Sequence, residues 1–132
     1  MATTIAQLTL TSTDLLSDTL ALSTVASISA PHTGGLSRSK VTSTAIGTAS
    51  GQVTVDTADT FASPNFIYVK NTADYHASNG VVYGYFNGQS GHPLQLHGGQ
   101  FAYIPASGDF TLKFFTSTSG TVIEHMVIGT NA

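Results

Sequence analysis

The chain is 132 residues long, carries a formal net charge of −3 at pH 7 and contains no cysteine. Charged residues make up 8% of it, whereas about 25% is usual in soluble domains. The 20 threonines and 15 serines supply much of the polar surface instead. Four basic residues are too few to neutralise phosphates or an anionic bilayer, so we expect neither a nucleic-acid nor a membrane partner.

A chain of this length predicts a single domain with one hydrophobic core, spanning residues 1–132. A weakly charged surface does little to keep a free monomer soluble. We therefore expect neighbouring protein to cover much of this surface, although a hydroxyl-rich sandwich that stays in solvent is the alternative. The absence of cysteine agrees with folding in a reducing cytoplasm. The apolar run Leu15–Ala30 is interrupted by Asp18 and by Ser and Thr, so it predicts neither a signal peptide nor a membrane span.

The N-terminal part predicts two strands. Met1–Ile5 is uncharged apart from the α-amino group and could form a short arm along a neighbour. In “AQLTLT” (Ala6–Thr11) and “TLALSTVASIS” (Thr19–Ser29), apolar and hydroxyl residues alternate, as in half-buried strands. “STDLLSD” (Ser12–Asp18) between them predicts one short helical turn capped by Ser12 or Thr13. “APHTGGLSRSK” (Ala30–Lys40) predicts a loop, because of Pro31 and the Gly-Gly pair.

The rest of the chain predicts further short strands separated by turn residues. They are “KVTSTAIGT” (Lys40–Thr48), “GQVTVD” (Gly51–Asp56), “NFIYVKN” (Asn65–Asn71), “VVYGYFNG” (Val81–Gly88), “PLQL” (Pro93–Leu96), “QFAYIP” (Gln100–Pro105), “DFTLKFFT” (Asp109–Thr116) and “TVIEHMVIG” (Thr121–Gly129). Short connections of this kind join antiparallel strands. The fold class is therefore all-β: a sandwich of roughly eight mostly antiparallel strands, with jelly-roll connections as the favoured topology.

The alternating stripes also predict the core. It should contain Leu8, Leu10, Leu20, Leu22, Val53, Val55, Tyr68, Tyr103, Phe110, Leu112 and Phe114. Gly84 should permit a bulge or a close neighbour within its strand. Gly98 or Gly99 should have a positive φ angle.

His92 and His97 are the most suggestive pair of possible metal ligands. Two ligands on one strand lie at i and i+2, and two on a helix lie at i and i+4. A spacing of five matches neither, and Pro93 with the two following glycines excludes a helix. We expect “HGG” to be a turn into the next strand, with no metal and no cofactor.

Glu124 and His125 are adjacent on the last predicted strand, so they should point to opposite faces and cannot act as an acid–base pair in one site. That strand carries apolar residues on both faces. Either it is a central strand of a covered sheet or it lies at a subunit interface.

No other pattern predicts catalysis. The serines lack a G-x-S-x-G elbow, and the acidic residues near Asp56 are better explained by a turn. We expect no catalytic residues and no enzymatic activity. The aromatic stretches “YGYF” (Tyr83–Phe86) and “YHASN” (Tyr75–Asn79) leave open a carbohydrate-binding platform.

Four stretches occur in an order that is typical of one family. They are “QLTLTSTDLLSDTLAL” (Gln7–Leu22), “NFIYVKNT” (Asn65–Thr72), “LQLHGGQFAYIP” (Leu94–Pro105) and “TVIEHMVI” (Thr121–Ile128). This order resembles small virion structural proteins of tailed bacteriophages, especially marine and cyanobacterial phages. Their “YIKNT”-like strand is followed by a “L-x-x-G-x-F-A-x-x-P”-like pair and a “VEY”-like last strand. The present chain departs from this pattern at His97 and His125.

The resemblance implies a capsid decoration (cement) protein on the exterior of the virion, made in the cytoplasm of the host bacterium. A tail, neck or baseplate subunit is the alternative within the family, and a carbohydrate-binding module for host adhesion is an alternative outside it. The expected partners are further copies of the chain, as a homotrimer, and the major capsid protein. The expected interface residues are Ile5, Tyr83, Tyr85, Phe86, Phe115, Glu124 and His125.

Overall fold

The computed structural model describes residues 3–13, 20–29, 32–33, 35–48, 50–56, 62–74, 80–86, 88–106 and 111–130. These residues form eleven strands and no helix. The strands are β1 (Thr3–Ser12), β2 (Leu20–Ser29), β3 (His32–Thr33), β4 (Ser37–Val41), β5 (Val53–Asp56), β6 (Ala62–Asn71), β7 (Val82–Phe86), β8 (Leu94–Leu96), β9 (Phe101–Ala106), β10 (Thr111–Thr116) and β11 (Thr121–Thr130). The all-β prediction is confirmed. Most of the predicted helical turn at Ser12–Asp18 lies outside the described residues, and Ser12 itself ends β1.

The chain divides into two compact units, Met1–Pro31 and His32–Ala132. In the first, β1 and β2 form an antiparallel hairpin with ten residue pairs, from Thr3↔Ser29 to Ser12↔Leu20. The predicted arm is wrong for Thr3–Ile5, because these residues pair with β2. The predicted burial of the hairpin leucines is also wrong: Leu8, Leu10 and Leu22 are 45%, 46% and 44% exposed. Alternation identifies the apolar face of a strand but does not determine whether a second layer covers it.

The second unit is a sandwich of two antiparallel sheets. Sheet I has the order β3-β11-β6-β9, with β4 also paired to β11, and sheet II has the order β5-β10-β7-β8. From β4 onward the chain crosses from one sheet to the other at every connection except the one between β7 and β8. Strands that are neighbours in a sheet are therefore mostly distant in sequence.

The inner faces of the two sheets form one hydrophobic core. Its buried members are Val41, Val55, Ile67, Val69, Val82, Leu96, Leu112, Phe114 and Ile123. Phe114 is the largest of them and is completely buried. The core prediction is confirmed for Val55, Leu112 and Phe114, while Val53 is partly buried against the cluster. Phe110 lies outside the described residues.

Tyr68 and Tyr103 are the other errors in the predicted core. They are cross-strand neighbours on β6 and β9, but Ile67 and Val69 are the β6 residues in the core cluster. Both neighbours of Tyr68 therefore face inward, and its own side chain points to the outer face of sheet I. The sequence “FIYV” is apolar at every position, so its alternation does not identify the inner face.

The strand predicted at Lys40–Thr48 begins and ends earlier than expected. Ser37–Val41 forms β4 against β11, and no strand covers residues 42–48. Val41 is buried in the core cluster, whereas Arg38 pairs with Glu124 on the opposite face. In the following loop, the N–H groups of Thr42 and Ser43 both donate to the Gly51 carbonyl at 2.9 Å.

Two glycine predictions are confirmed. Gly99 has a φ angle of 79°, within a turn that is closed by a bond from Gln100 N to His97 O at 3.0 Å. At Gly84, a Cβ atom would lie 3.0 Å from both Leu94 Cβ and Phe114 Cε1. Gly84 therefore allows β8 and the Phe114 ring to approach β7 closely.

Asn71 fixes the end of the sandwich where β6 leaves the core. Its buried Nδ2 group donates to the carbonyls of Gly80 at 2.8 Å and Leu96 at 2.9 Å. Its Oδ1 atom accepts from Ala73 N at 3.0 Å. One side chain thereby satisfies three backbone groups of three segments, as a buried polar residue must if it is not to cost stability.

Candidate interaction surfaces

The outer face of sheet II carries an aromatic cluster. Tyr83 and Phe115 are cross-strand partners on β7 and β10, and their rings stack with centroids 5.1 Å apart. Tyr85 meets Phe115 edge-on at 6.1 Å. His92 approaches both Tyr83 and Phe115 edge-on, at 5.0 and 5.5 Å. Three of the residues predicted for an interface are thus brought together.

Most of this cluster is already covered within the chain. Tyr85 is 4% exposed and Phe115 is 8% exposed. The Tyr85 hydroxyl donates to Gln52 Oε1 at 2.7 Å and accepts from Gly47 N at 3.3 Å, which ties the loop before β5 to this face. Phe86 instead packs against the main core. Tyr83 and Tyr85 of “YGYF” therefore belong with Phe115 to a second, smaller aromatic cluster rather than to a flat exposed platform, and “YHASN” lies outside the described residues.

His92 and His97 have different partners. His92 packs on the rings of the aromatic cluster, whereas His97 Nε2 lies 3.1 Å from Gln95 Nε2. The His97 N–H donates to Gln100 Oε1 at 2.9 Å, which supports the turn. Within the described ranges, no group of three or more His, Cys, Asp or Glu residues could hold a metal ion.

The outer face of sheet I carries a row of charged residues. Glu124 on β11 pairs laterally with Arg38 on β4 and with Lys70 on β6. Arg38 Nη2 lies 3.0 Å from Glu124 Oε2, and the Tyr68 hydroxyl donates to Glu124 Oε1 at 3.1 Å. An open depression of about 430 Å³ is lined by these three charged residues and by the turn after β6.

These contacts alter the acidity of two groups. The hydrogen bond from Arg38 lowers the pKa of the Glu124 carboxyl below its usual value; the Tyr68 hydroxyl and the charges of Arg38 and Lys70 act in the same direction, against a smaller opposing effect of burial. Burial raises the pKa of the Tyr68 hydroxyl, as do its bond to Glu124 and the charge of that carboxylate. Glu124 is thus held as an anion that is already paired, not as a proton donor.

Beside this row, the outer face of sheet I is aromatic. Phe66 and Tyr103 stack with centroids 5.1 Å apart, and Tyr68 lies opposite both Tyr103 and Met126 in the ladder. Phe101, opposite Lys70, is 60% exposed. This surface was not predicted from the sequence, although alternate positions of “NFIYVKN” indicate it once the inner face is known.

His125 points away from Glu124, as predicted. Its Nε2 atom lies 3.0 Å from Ser39 Oγ, and burial lowers the pKa of its imidazole. A Ser–His contact resembles the first half of a nucleophilic triad, but a triad needs a third group that orients the imidazole. Glu124 occupies the opposite face and bonds to Arg38 and Tyr68. β11 is flanked by β6 on one side and by β3 and β4 on the other, so it is a central strand of sheet I.

A second depression is lined by hydroxyl groups. It has a volume of about 470 Å³ and is formed by the segment after β6 and the turn between β10 and β11, including Thr72, Asp74, Thr118, Ser119 and Thr121. Several of these hydroxyls already bond within the chain: Thr72 Oγ1 donates to Val122 O at 2.7 Å and Thr121 Oγ1 to Thr118 O at 2.8 Å. They hold the turns together rather than pointing to a ligand.

Of the predicted interface residues, Ile5 is the most exposed, at 65%. It lies on the hairpin, where Ser27 is its cross-strand partner.

In the part of the chain that the structure describes, no helix is long and apolar enough to cross a membrane. No protein-family model matches the chain, and no curated protein or solved structure matches it either.

Proposed function

We propose that the chain is a non-enzymatic structural protein of a tailed-bacteriophage virion, and that it decorates the exterior of the capsid. It is made in the cytoplasm of the host bacterium, binds no cofactor, and assembles as a trimer on the major capsid protein. The sandwich is assigned as a jelly roll.

The strand order is the observation that carries this proposal. With β4 counted as the first strand, one sheet takes the first, eighth, third and sixth strands, and the other takes the second, seventh, fourth and fifth. Two interleaved Greek keys produce this order, and such eight-stranded sandwiches are typical of viral capsid proteins, of lectins and of cupins. Because a fold does not by itself define a function, the surfaces must decide between these classes.

The aromatic cluster of sheet II favours the structural role over sugar binding. The aromatic rings of Tyr85 and Phe115 are buried within the chain, so these two rings do not offer a free face to a sugar. Three of the family-like stretches correspond to β6, β8–β9 and β11. They build the ladder and the core rather than a reaction centre.

Mass spectrometry of purified virions tests the proposal. The expected result is a copy number comparable to that of the major capsid protein. Capsids assembled without the protein should bind it when it is added back, and should then withstand heat better. A few copies per particle that co-purify with detached tails would assign the protein to the tail, neck or baseplate. Binding to a glycan array without binding to capsids would assign it to host adhesion.

A further inference from the structure

The β1–β2 hairpin has one apolar and one hydroxyl-rich face. Residues directly opposite each other in an antiparallel ladder share a face. The pairs Thr4↔Ile28, Ala6↔Ala26, Leu8↔Thr24, Leu10↔Leu22 and Ser12↔Leu20 therefore form one face, and the pairs Thr3↔Ser29, Ile5↔Ser27, Gln7↔Val25, Thr9↔Ser23 and Thr11↔Ala21 form the other. Ile28, at one end of the first face, is only 5% exposed. We call the first the leucine face. Three of its four leucines are 44–46% exposed.

The edges of this hairpin carry none of the features that prevent strand pairing. Natural edge strands are protected by lysine, proline or inward-pointing charge. Residues 3–13 and 20–29 contain no Asp, Glu, Lys, Arg or Pro. A second copy of the same hairpin would therefore meet neither like-charge repulsion nor a missing backbone donor.

A two-stranded hairpin is at best marginally stable in water, and this one needs a partner of suitable size. Ten pairs make a ribbon about 33 Å long and roughly 10 Å wide. Two ribbons packed face to face would cover only about 330 Å² each, whereas a stable interface needs about 800 Å² per partner. The contact area formed by stacking two leucine faces is therefore too small for a stable interface.

Edge-to-edge association would add backbone hydrogen bonds along the outer edges of β1 and β2, which face-to-face stacking would not. If copies are arranged around an axis parallel to their strands, β2 of one copy runs antiparallel to β1 of the next. Each seam then adds a full ladder of backbone hydrogen bonds, and closure of the ring removes every free edge. The leucine faces, which also carry Ala, Thr and Ser, fill the interior, and the hydroxyl-rich faces, which also carry Ile5 and Val25, point to solvent.

We infer that the hairpins of three copies of the chain close into a six-stranded antiparallel barrel, with Leu8, Leu10, Leu20 and Leu22 of each copy inside. The barrel is the element that makes the protein a trimer. The number three rests on the trimer in the proposed function, whereas the edge pairing and the leucine interior rest on the hairpin itself.

The test uses the full chain and two charge variants that differ only in the face of the hairpin. The double variant Leu10→Lys/Leu22→Lys places a cross-strand pair of lysines on the leucine face. The control, Thr9→Lys/Ser23→Lys, places the same pair one position away on the other face. Both introduce the same charge into neighbouring cross-strand pairs of the hairpin, and they place it on opposite faces.

Native mass spectrometry and sedimentation velocity should give a trimer for the unmodified chain and for the control, and a monomer for the leucine-face variant. All five tyrosines lie outside the hairpin, so near-ultraviolet circular dichroism reports whether the sandwich remains folded. A monomeric unmodified chain, an assembly of another order, or an equal effect of the two variants would overturn the barrel.

Capsid binding separates this inference from the proposed function. If the chain forms a hairpin-dependent trimer that does not bind capsids, the result supports the barrel and contradicts the decoration role. If the chain is a monomer that still binds capsids, the result supports the decoration role and contradicts the barrel.

Discussion

Phe114 contributes to the stability of the sandwich as a member of its main hydrophobic cluster. It is the largest completely buried residue, and its ring contacts β7 where Gly84 lacks a Cβ atom. The neighbouring Phe115 is also buried, but in the aromatic cluster on the opposite face of β10. Two successive phenylalanines thus belong to two different layers.

We expect Phe114→Ala to lower the free energy of unfolding by about 3–5 kcal/mol, because it removes a buried ring and leaves a cavity. Urea denaturation measures this loss. Phe101→Ala is the matched control: its ring is 60% exposed, so its effect should lie within about 0.5 kcal/mol. A loss below about 1 kcal/mol for Phe114→Ala would show that this face of β10 is not internal.

His125 should make the protein less stable as the pH falls below neutrality. Burial lowers the pKa of its imidazole in the folded chain, while the unfolded chain titrates near the ordinary value of about 6.5. As the pH falls through that value, the unfolded state takes up a proton that the folded state resists, so stability is lost. We expect urea midpoints to decrease between pH 8 and pH 5.5.

The variant His125→Gln should show a smaller decrease over this pH range, since the titrating group is gone. Glu124→Gln should leave the change in stability between pH 8 and pH 5.5 unaffected, because the pKa of Glu124 is lowered by Arg38. The stability that Glu124 contributes is lost only as the pH falls through acid values below its unfolded pKa. Identical slopes for the unmodified chain and His125→Gln would contradict the assignment.

At the scale of elements, β7 has little room for an added side chain at Gly84. Gly84 faces Phe114 of β10 and Leu94 of β8, both of which pair with β7. We expect Gly84→Ala to destabilise the fold by about 1–3 kcal/mol, because a Cβ atom would overpack the inner face. Thermal melts measure the effect.

Gly91→Ala is the control for this prediction. A Cβ atom at Gly91 would meet nothing within 4 Å, and this glycine is not among those with positive φ. Its melting temperature should therefore match that of the unmodified chain. Equal melting temperatures for Gly84→Ala and the unmodified chain would mean that β8 can move away from β7 without cost.

At the scale of the whole molecule, the main hydrophobic cluster of the described residues lies in the second unit. All nine buried members of the cluster fall between Val41 and Ile123. We expect a fragment of residues 32–132 to keep its tyrosine circular dichroism and to unfold cooperatively. If the hairpin is the assembly element, this fragment should also remain monomeric at concentrations where the full chain is a trimer. Loss of cooperative unfolding would show that the core depends on Met1–Pro31.

The sequence by itself determined the fold class and the position of most strands. Alternation in “VTVD” and “TLKF” identified Val55, Leu112 and Phe114 as core residues. When one face of a strand is polar, the residues of its other face are the ones that can be buried. The opposite directions of Glu124 and His125 and the turn at His97–Gly99 followed from equally local rules.

Only the tertiary structure decided which apolar faces are covered. Leu8, Leu10 and Leu22 alternate as well as any core residue, yet the structure leaves them exposed. In “FIYV” both faces are apolar, so long-range pairing with β9 and β11 decides that Ile67 and Val69 face inward and Tyr68 outward. Alternation is a property of neighbouring residues, whereas burial depends on a second layer formed by residues far away in the chain, or by another copy of it.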